Sequence, residues 1–173
     1  MKRRNFVYIT GVLLLFSNLL FSQGIHELRI LHFNDFHSAN IPFKVSKKEI
    51  NELKDSTGMV GGYAYLQSYI KKNRDEKSLL LNGGDDFQGS PASTVTRGKS
   101  QIELLNLVMP DAMTLGNHEF DYSADTLLNH LKDAKFKVIN SNLINKETKK
   151  NFFDPYIVFD KNTHFPGFHA LAP

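Results

Sequence analysis

The sequence predicts an α/β fold built on a mostly parallel sheet with helices on its outer face. Three observations predict it. Short apolar runs alternate with stretches of helical periodicity along the chain. That alternation implies parallel strands joined by right-handed helical crossovers. Each apolar run ends in a polar cluster rich in Gly, Asn, Asp or His, so these clusters fall on one edge of the sheet. Open α/β sheets keep their ligands at that edge. A length of 173 residues, 41% hydrophobic, is enough for one modest core.

The elements follow in order. Glu27 to Phe33 (ELRILHF) alternates and then runs apolar, as a first strand does, and leads into Asn34-Asp35-Phe36-His37. Ile41 to Thr57 is a polar, Lys-rich excursion with a short helix expected around Lys47 to Lys54. Gly61-Gly62 opens a helix to about Asn73, with Ala64, Leu66, Tyr69 and Ile70 expected on its apolar face. Ser78 to Leu81 (SLLL) is a short buried strand that leads into Asn82-Gly83-Gly84-Asp85-Asp86. Ser100 is expected to cap the next helix, with Glu103 completing a capping box. Ile102, Leu105 and Val108 form its inner face, and Pro110 stops it. Ala112 to Leu115 is the third strand and Phe136 to Ile139 (FKVI) the fourth. Between them Ser123 caps a helix with Leu127, Leu128 and Leu131 inward.

The N-terminus reads as a secretory signal over residues 1–23. Lys2, Arg3 and Arg4 form a basic region, Phe6 to Phe21 is mostly apolar, and Ser22-Gln23-Gly24 ends it. The apolar stretch is short for a lasting span, so cleavage is expected over anchoring, with a secreted or periplasmic product. The signal is also the source of the basic balance. The whole chain has 21 Lys and Arg against 18 Asp and Glu, and without the three leading residues the numbers are equal. The pI therefore gives no ground for a nucleic-acid polymer as partner. Cysteine is absent, which excludes disulfides and thiolate metal sites. Any metal must be held by oxygen and imidazole.

The polar strand ends carry the chemistry. Asp35 and His37 lie two apart, a spacing that points both side chains the same way in extended chain. Carboxylate with imidazole suits a divalent transition metal such as zinc, manganese or iron. Alone, Asp35 reads equally as a turn former and His37 as a cap. Gly83-Gly84 lets backbone approach Asp85 closely, and its two oxygens can bridge two ions; the bland reading is a solvated turn. Asp86 should face away from Asp85. In TLGNHEFDY, Asn117 can offer a carbonyl oxygen to a metal, His118 can donate a proton to an oxyanion, and Asp121 can hold that imidazole in one tautomer. A lone GNH is most simply a polar turn. Three such clusters on successive strand ends favour a metal site. Two other patterns fail. Gly98-Lys99-Ser100 lacks the first glycine of a phosphate loop, because position 93 is Ser93. His118-Glu119 lacks the second histidine of a zinc-protease motif, because Tyr122 stands there.

ILHFNDFHS, GGYAYL, LLLNGGDDFQGSPAST and TLGNHEFDY, in that order, resemble the secreted 5′-nucleotidase and 2′,3′-cyclic-nucleotide 2′-phosphodiesterase family of calcineurin-like metallophosphoesterases. The resemblance covers roughly Leu28 to Val158. It implies the N-terminal part of a metallophosphatase-type αββα sandwich over residues 25–160. It also implies hydrolysis of small-molecule nucleotides (5′-monophosphates, cyclic 2′,3′-nucleotides or UDP-sugars) with two divalent ions activating water. Asp35 and His37 would bind the first ion, Asp85 would bridge, and Asn117 would bind the second. His118 and Asp121 would form a catalytic dyad, with Asn117 and His118 on the substrate phosphate. Phe33 stands where the family more often has Thr. The family's later Gly-His and His-x-His motifs have no counterpart in this sequence. Residues 161–173 read as a divergent tail, with His164 and His169 as tail residues and not replacement ligands. The family's separate C-terminal nucleotidase domain is likewise without counterpart. The alternative expectation is therefore a truncated, inactive remnant that binds metal or phosphate.

Overall fold

The computed structural model describes residues 27–46, 48, 58–159 and 169–170. Four strands make one parallel sheet: β1 (Arg29–Phe33), β4 (Ser78–Asn82), β5 (Ala112–Met113) and β6 (Lys137–Val138), in the order β1-β4-β5-β6. Arg29 to Phe33 pairs in register with Ser78 to Asn82, and Leu81 and Asn82 pair with Ala112 and Met113. The predicted parallel α/β arrangement is therefore present.

Three crossovers join these strands. The first holds a two-residue antiparallel pair, β2 (Phe43–Lys44) with β3 (Met59–Val60), followed by α1 (Tyr63–Asn73). β2 lies in the polar excursion and β3 just after it, where no strand was expected. The helix expected over Lys47 to Lys54 lies almost wholly outside the described residues. The second crossover holds α2 (Pro91–Thr96) and α3 (Lys99–Val108). The third holds a 3-10 turn, His118–Phe120, and α4 (Ala124–His130), which runs on into a second 3-10 turn, Leu131–Asp133. β7 (Ile157–Val158) pairs with β8 (His169–Ala170). The expected signal segment, and the rest of the expected tail, lie outside the described residues.

One face of the sheet carries the core. Leu31 and Phe33 of β1 pack with Tyr63 and Ile70 of α1, Leu80 of β4, Leu105 and Val108 of α3, and Met113 of β5. A second cluster joins Phe87 and Ile102 to Leu127 of α4. Ile30 and His32 alternate to the other face of β1, where both are exposed. Burying a Leu, Ile or Phe contributes about 1.5–3 kcal/mol, so these two clusters are the main hold of the helices on the sheet. At the start of β5, Asp111 accepts from Leu80 N at 2.7 Å and from Arg74 Nη2 at 3.0 Å, which ties α1 to two strands.

Several local expectations need correction. Ser100 does not cap a helix. α3 starts two residues earlier than that cap implies, at Lys99, with Gly98 as its N-cap and no side-chain cap bond. Ser100 Oγ instead accepts from Thr96 Oγ1 at 2.9 Å. The cause is the turn before it: Arg97 and Gly98 are both left-handed, with φ of 50° and 85°. A Cβ on Gly98 would overlap the Phe87 ring. The capping chemistry lies upstream, in a helix the sequence reading passed over. Ser90 accepts from Ser93 N at 3.3 Å, and Pro91 occupies the first helical position of α2. In α1 the inward face is Tyr63, Leu66 and Ile70, while Ala64 and Tyr69 are exposed. Tyr63 is anchored by donating its hydroxyl to Leu104 O and by edge-to-face contact with Phe36 at 5.9 Å. The Ser123 cap is present, accepting from Thr126 N at 3.3 Å.

Gly98→Ala combines a strained φ with a clash against a fully buried ring. We expect it to lower unfolding free energy by about 1–3 kcal/mol, read as a drop in the urea midpoint. An unchanged midpoint would contradict this account of the α2–α3 turn.

Candidate metal and phosphate site

The loops that follow β1, β4 and β5 lie side by side because their strands do. Hydrogen bonding continues past the strands. Gly83 N donates to Phe33 O at 2.9 Å, Asp35 N to Gly84 O at 2.9 Å, and His37 N to Asp85 O at 3.0 Å. Across the next gap Thr114 N donates to Asn82 O at 3.0 Å. The backbone turns sharply here. Asp35, His37, Ser38 and Asp85 have φ of 50°, 48°, 45° and 60°. Such left-handed non-glycine residues cost about 1–3 kcal/mol each and gather at functional sites. Asp35 and His37 therefore do not share a side through extended chain, as the spacing argument assumed. The coiled loop brings them together anyway, with His37 Nε2 at 3.7 Å from Asp35 Oδ1.

His37, Asp85 and His118 each present a ligand atom, and these atoms lie within 4.8 Å of one another. The His37 and His118 rings stand edge to face at 5.0 Å. The group comes from three different loops and holds two predicted metal ligands and the predicted catalytic histidine. Asp35 borders it through His37, and Asn117 precedes His118 directly in an exposed position. Nitrogen and carboxylate oxygen in this number and spacing fit a borderline divalent cation. Asn34 Nδ2 donates to the second Asp35 oxygen, which orients that carboxylate.

His118 is set from both ends. Its backbone N donates to Asp85 Oδ1 at 2.9 Å. Its Nδ1 lies 2.8 Å from Asp121 Oδ2 across a 3-10 turn, the pairing expected of a dyad. With Nδ1 engaged, Nε2 is the nitrogen left for a ligand. The Asp121 hydrogen bond raises the His118 pKa above its ordinary value, against a smaller opposing effect of desolvation. Gly116 is required by close approach, because a Cβ there would overlap Asp85 Oδ1.

Two buried carboxylates lie beneath the rim. Asp86 turns inward and accepts from Asn82 Nδ2 at 2.6 Å, as its expected orientation away from Asp85 requires. Burial pushes its pKa up to about 7, helped by the nearby charges of Glu119, Asp85 and Asp35, and the Asn82 bond opposes the rise. Glu119 is fully buried. Its Oε2 accepts from Asp85 N at 2.9 Å and Gly116 N at 2.7 Å. Its Oε1 accepts from Asp86 N at 2.7 Å and Phe87 N at 3.3 Å. The sequence reading gave Glu119 no role beyond a failed protease motif. One signal was available: a Glu three residues after Gly116, inside a tight turn, can reach back to free amides as a capping Glu does.

The family description "Calcineurin-like phosphoesterase" matches residues 28–169. A 2′,3′-cyclic-nucleotide 2′-phosphodiesterase/3′-nucleotidase of Haemophilus influenzae is 33% identical across 94% of this chain and 26% of its own length. The human 5′-nucleotidase is 34% identical across 70% of this chain and 21% of its own. Among solved structures, the Haemophilus influenzae NAD nucleotidase superposes with a TM-score of 0.66 at 28% identity, covering 79% of this chain and 24% of that one. A 5′-nucleotidase precursor from Thermus thermophilus gives a TM-score of 0.60 at 30% identity, covering 76% and 26%. The chain thus spans about a quarter of the length of the curated relatives it matches.

Asp86 makes stability depend on pH. With its pKa raised from 3.8 to about 7, the folded state keeps a proton that the unfolded chain has already released. Its contribution is therefore present below about pH 4 and is lost as pH rises toward 7. In chelator-treated protein, Asp86→Asn should gain in urea midpoint over the unmutated chain between pH 5 and pH 8. Parallel pH slopes for the two proteins would contradict the raised value.

Proposed function

We propose a function from one premise: the chain belongs to the calcineurin-like phosphoesterase family. It carries the metal and phosphate rim of a phosphoester hydrolase acting on nucleotides, whether 5′-monophosphates, cyclic 2′,3′-nucleotides or UDP-sugars. The observation that carries this reading is the meeting of His37, Asp85 and His118 from three loops, with Asp121 behind His118. The names of the relatives support nucleotides as the substrate class. The basic and apolar N-terminal stretch supports export, and among the described residues no helix is long and apolar enough to cross a membrane.

Asp35, His37, Asp85 and Asn117 would hold two divalent ions such as zinc, manganese or iron, with Asp85 between the two. Divalent ions, when bound there, supply Lewis acidity and lower the pKa of water. The chain's own groups do the rest. His118 Nε2–H donates to a phosphoryl oxygen as negative charge grows on it. Asp121 keeps the proton on Nδ1, so Nε2 faces the substrate with its own proton while the ring is cationic. Asn117, exposed at the rim, reaches the same phosphate. Gly116 keeps the approach to Asp85 free of side chain.

A turnover assay with added manganese and a nucleoside monophosphate tests the reading, with metal content measured alongside. We expect phosphate release in the loaded protein and none after chelation. Bound metal without turnover on any nucleotide ester would move the chain to the alternative, a binding remnant. His118→Ala should reduce turnover by at least a hundredfold with bound metal nearly unchanged. Joint loss of metal and turnover would make His118 a ligand. Asp121→Asn removes the group that raises the His118 pKa, so the alkaline limb of the rate profile should move to lower pH. An unmoved limb would remove His118 from that limb.

A further inference from the structure

Glu119 touches no reacting group in the mechanism above, yet it links the loops that carry it. Residues 85–87 follow β4 and Gly116 follows β5. Among the described residues, the last backbone bond between these two strands is the one from Thr114 N to Asn82 O. Beyond it the two loops stay in close approach, with Gly84 against the backbone of Thr114 and Gly116, and side chains take over the ladder. Glu119 supplies most of that link, with one oxygen shared between Asp85 N and Gly116 N and the other between Asp86 N and Phe87 N. A fully buried carboxylate is costly unless its lone pairs are met, and four amides meet them. The bonds fall on the residue that presents the predicted bridging carboxylate and on the residue just before Asn117.

We propose that Glu119 is a positioning residue for metal and phosphate binding: one buried carboxylate fixes the distance from Asp85 to Asn117 and His118. This rests on the metal and phosphate reading of the rim. The residue acts through backbone and contacts neither ion nor substrate. Glu119→Gln keeps the size but turns an NH2 group toward N–H donors, so about half of the bonds are lost. Glu119→Asp keeps the charge with a shorter reach.

The test follows amide hydrogen exchange by NMR and Mn2+ binding by EPR titration on the full chain. The unmutated protein is compared with Glu119→Gln, Glu119→Asp and Asp111→Asn. Asp111→Asn is a destabilising control at the far end of the strands, where it meets Leu80 N and Arg74 and no rim residue. We expect Glu119→Gln to speed exchange at the amides of Asp85, Asp86, Phe87 and Gly116 at least tenfold more than Asp111→Asn does. We expect the Kd for Mn2+ to rise at least tenfold in Glu119→Gln, to rise less in Glu119→Asp, and to stay within twofold in Asp111→Asn. Exchange at those amides within twofold of the control, or an unchanged Kd in Glu119→Gln, overturns the proposal. If Glu119→Gln does not fold, Glu119→Asp against the control decides by the same two readouts. Mn2+ binding without turnover in the unmutated protein would sink the hydrolase reading while leaving this decision intact. If the unmutated protein binds no Mn2+, the metal reading falls and the exchange arm alone decides whether Glu119 holds the loops.

Discussion

Everything at the rim stands on loops beyond the paired strands, where one buried carboxylate bridges the tips of β4 and β5. Strand pairing ends at Asn82 and Met113, and the residues with chemistry lie beyond that point. The amides of Asp85, Asp86, Phe87 and Gly116 turn toward the interior and meet the Glu119 carboxylate. The Asp85 carboxylate in turn accepts the His118 amide. Two loops are thus cross-braced, and the third is bound to Asp85 O through the His37 amide. The left-handed residues at Asp35, His37, Ser38 and Asp85 persist because these bonds over-determine them.

Strand order decides which tips become neighbours. In the order β1-β4-β5-β6, the tip of β4 lies between those of β1 and β5. Asp85 therefore sits between the Asp35–His37 loop and the Asn117–His118 loop, where a two-oxygen ligand can serve both sides. The fourth tip is different. Asn140 at the end of β6 is buried and spends its carbonyl oxygen on the amides of Asn142 and Leu143, at 3.1 and 3.0 Å. That is turn chemistry, and it explains why a fourth polar strand end adds nothing to the cluster.

The parallel sheet was legible in the sequence because each crossover carries its own apolar period. Ile102, Leu105 and Val108 face inward as their spacing requires. The meeting of His37, Asp85 and His118 was legible for the same reason, since parallel strands deliver their ends to one edge. What the sequence hid was mostly local and steric. Asp35 and His37 are two apart, but the chain between them is coiled, and only the ladder to Gly84 and Asp85 shows it. Ser100 looked like a cap because Glu103 stands three residues on, and the Phe87 ring that demands a glycine at 98 lies in another loop. Tyr69 looked buried because an aromatic at helical spacing usually is, but the sheet meets α1 along Tyr63, Leu66 and Ile70. Glu119 was hard to see as a brace because its partners are amides: its spacing from Gly116 marks one of them, and the three on residues 85–87 carry no such mark.

The central claim is that side chains from three strand ends grip divalent cations at one rim. Anomalous diffraction from crystals grown with manganese tests it most directly. The account predicts anomalous peaks within bonding distance of Asp85, with His37 among the neighbouring ligands. Well-diffracting crystals with no peak within reach of Asp85 would contradict it.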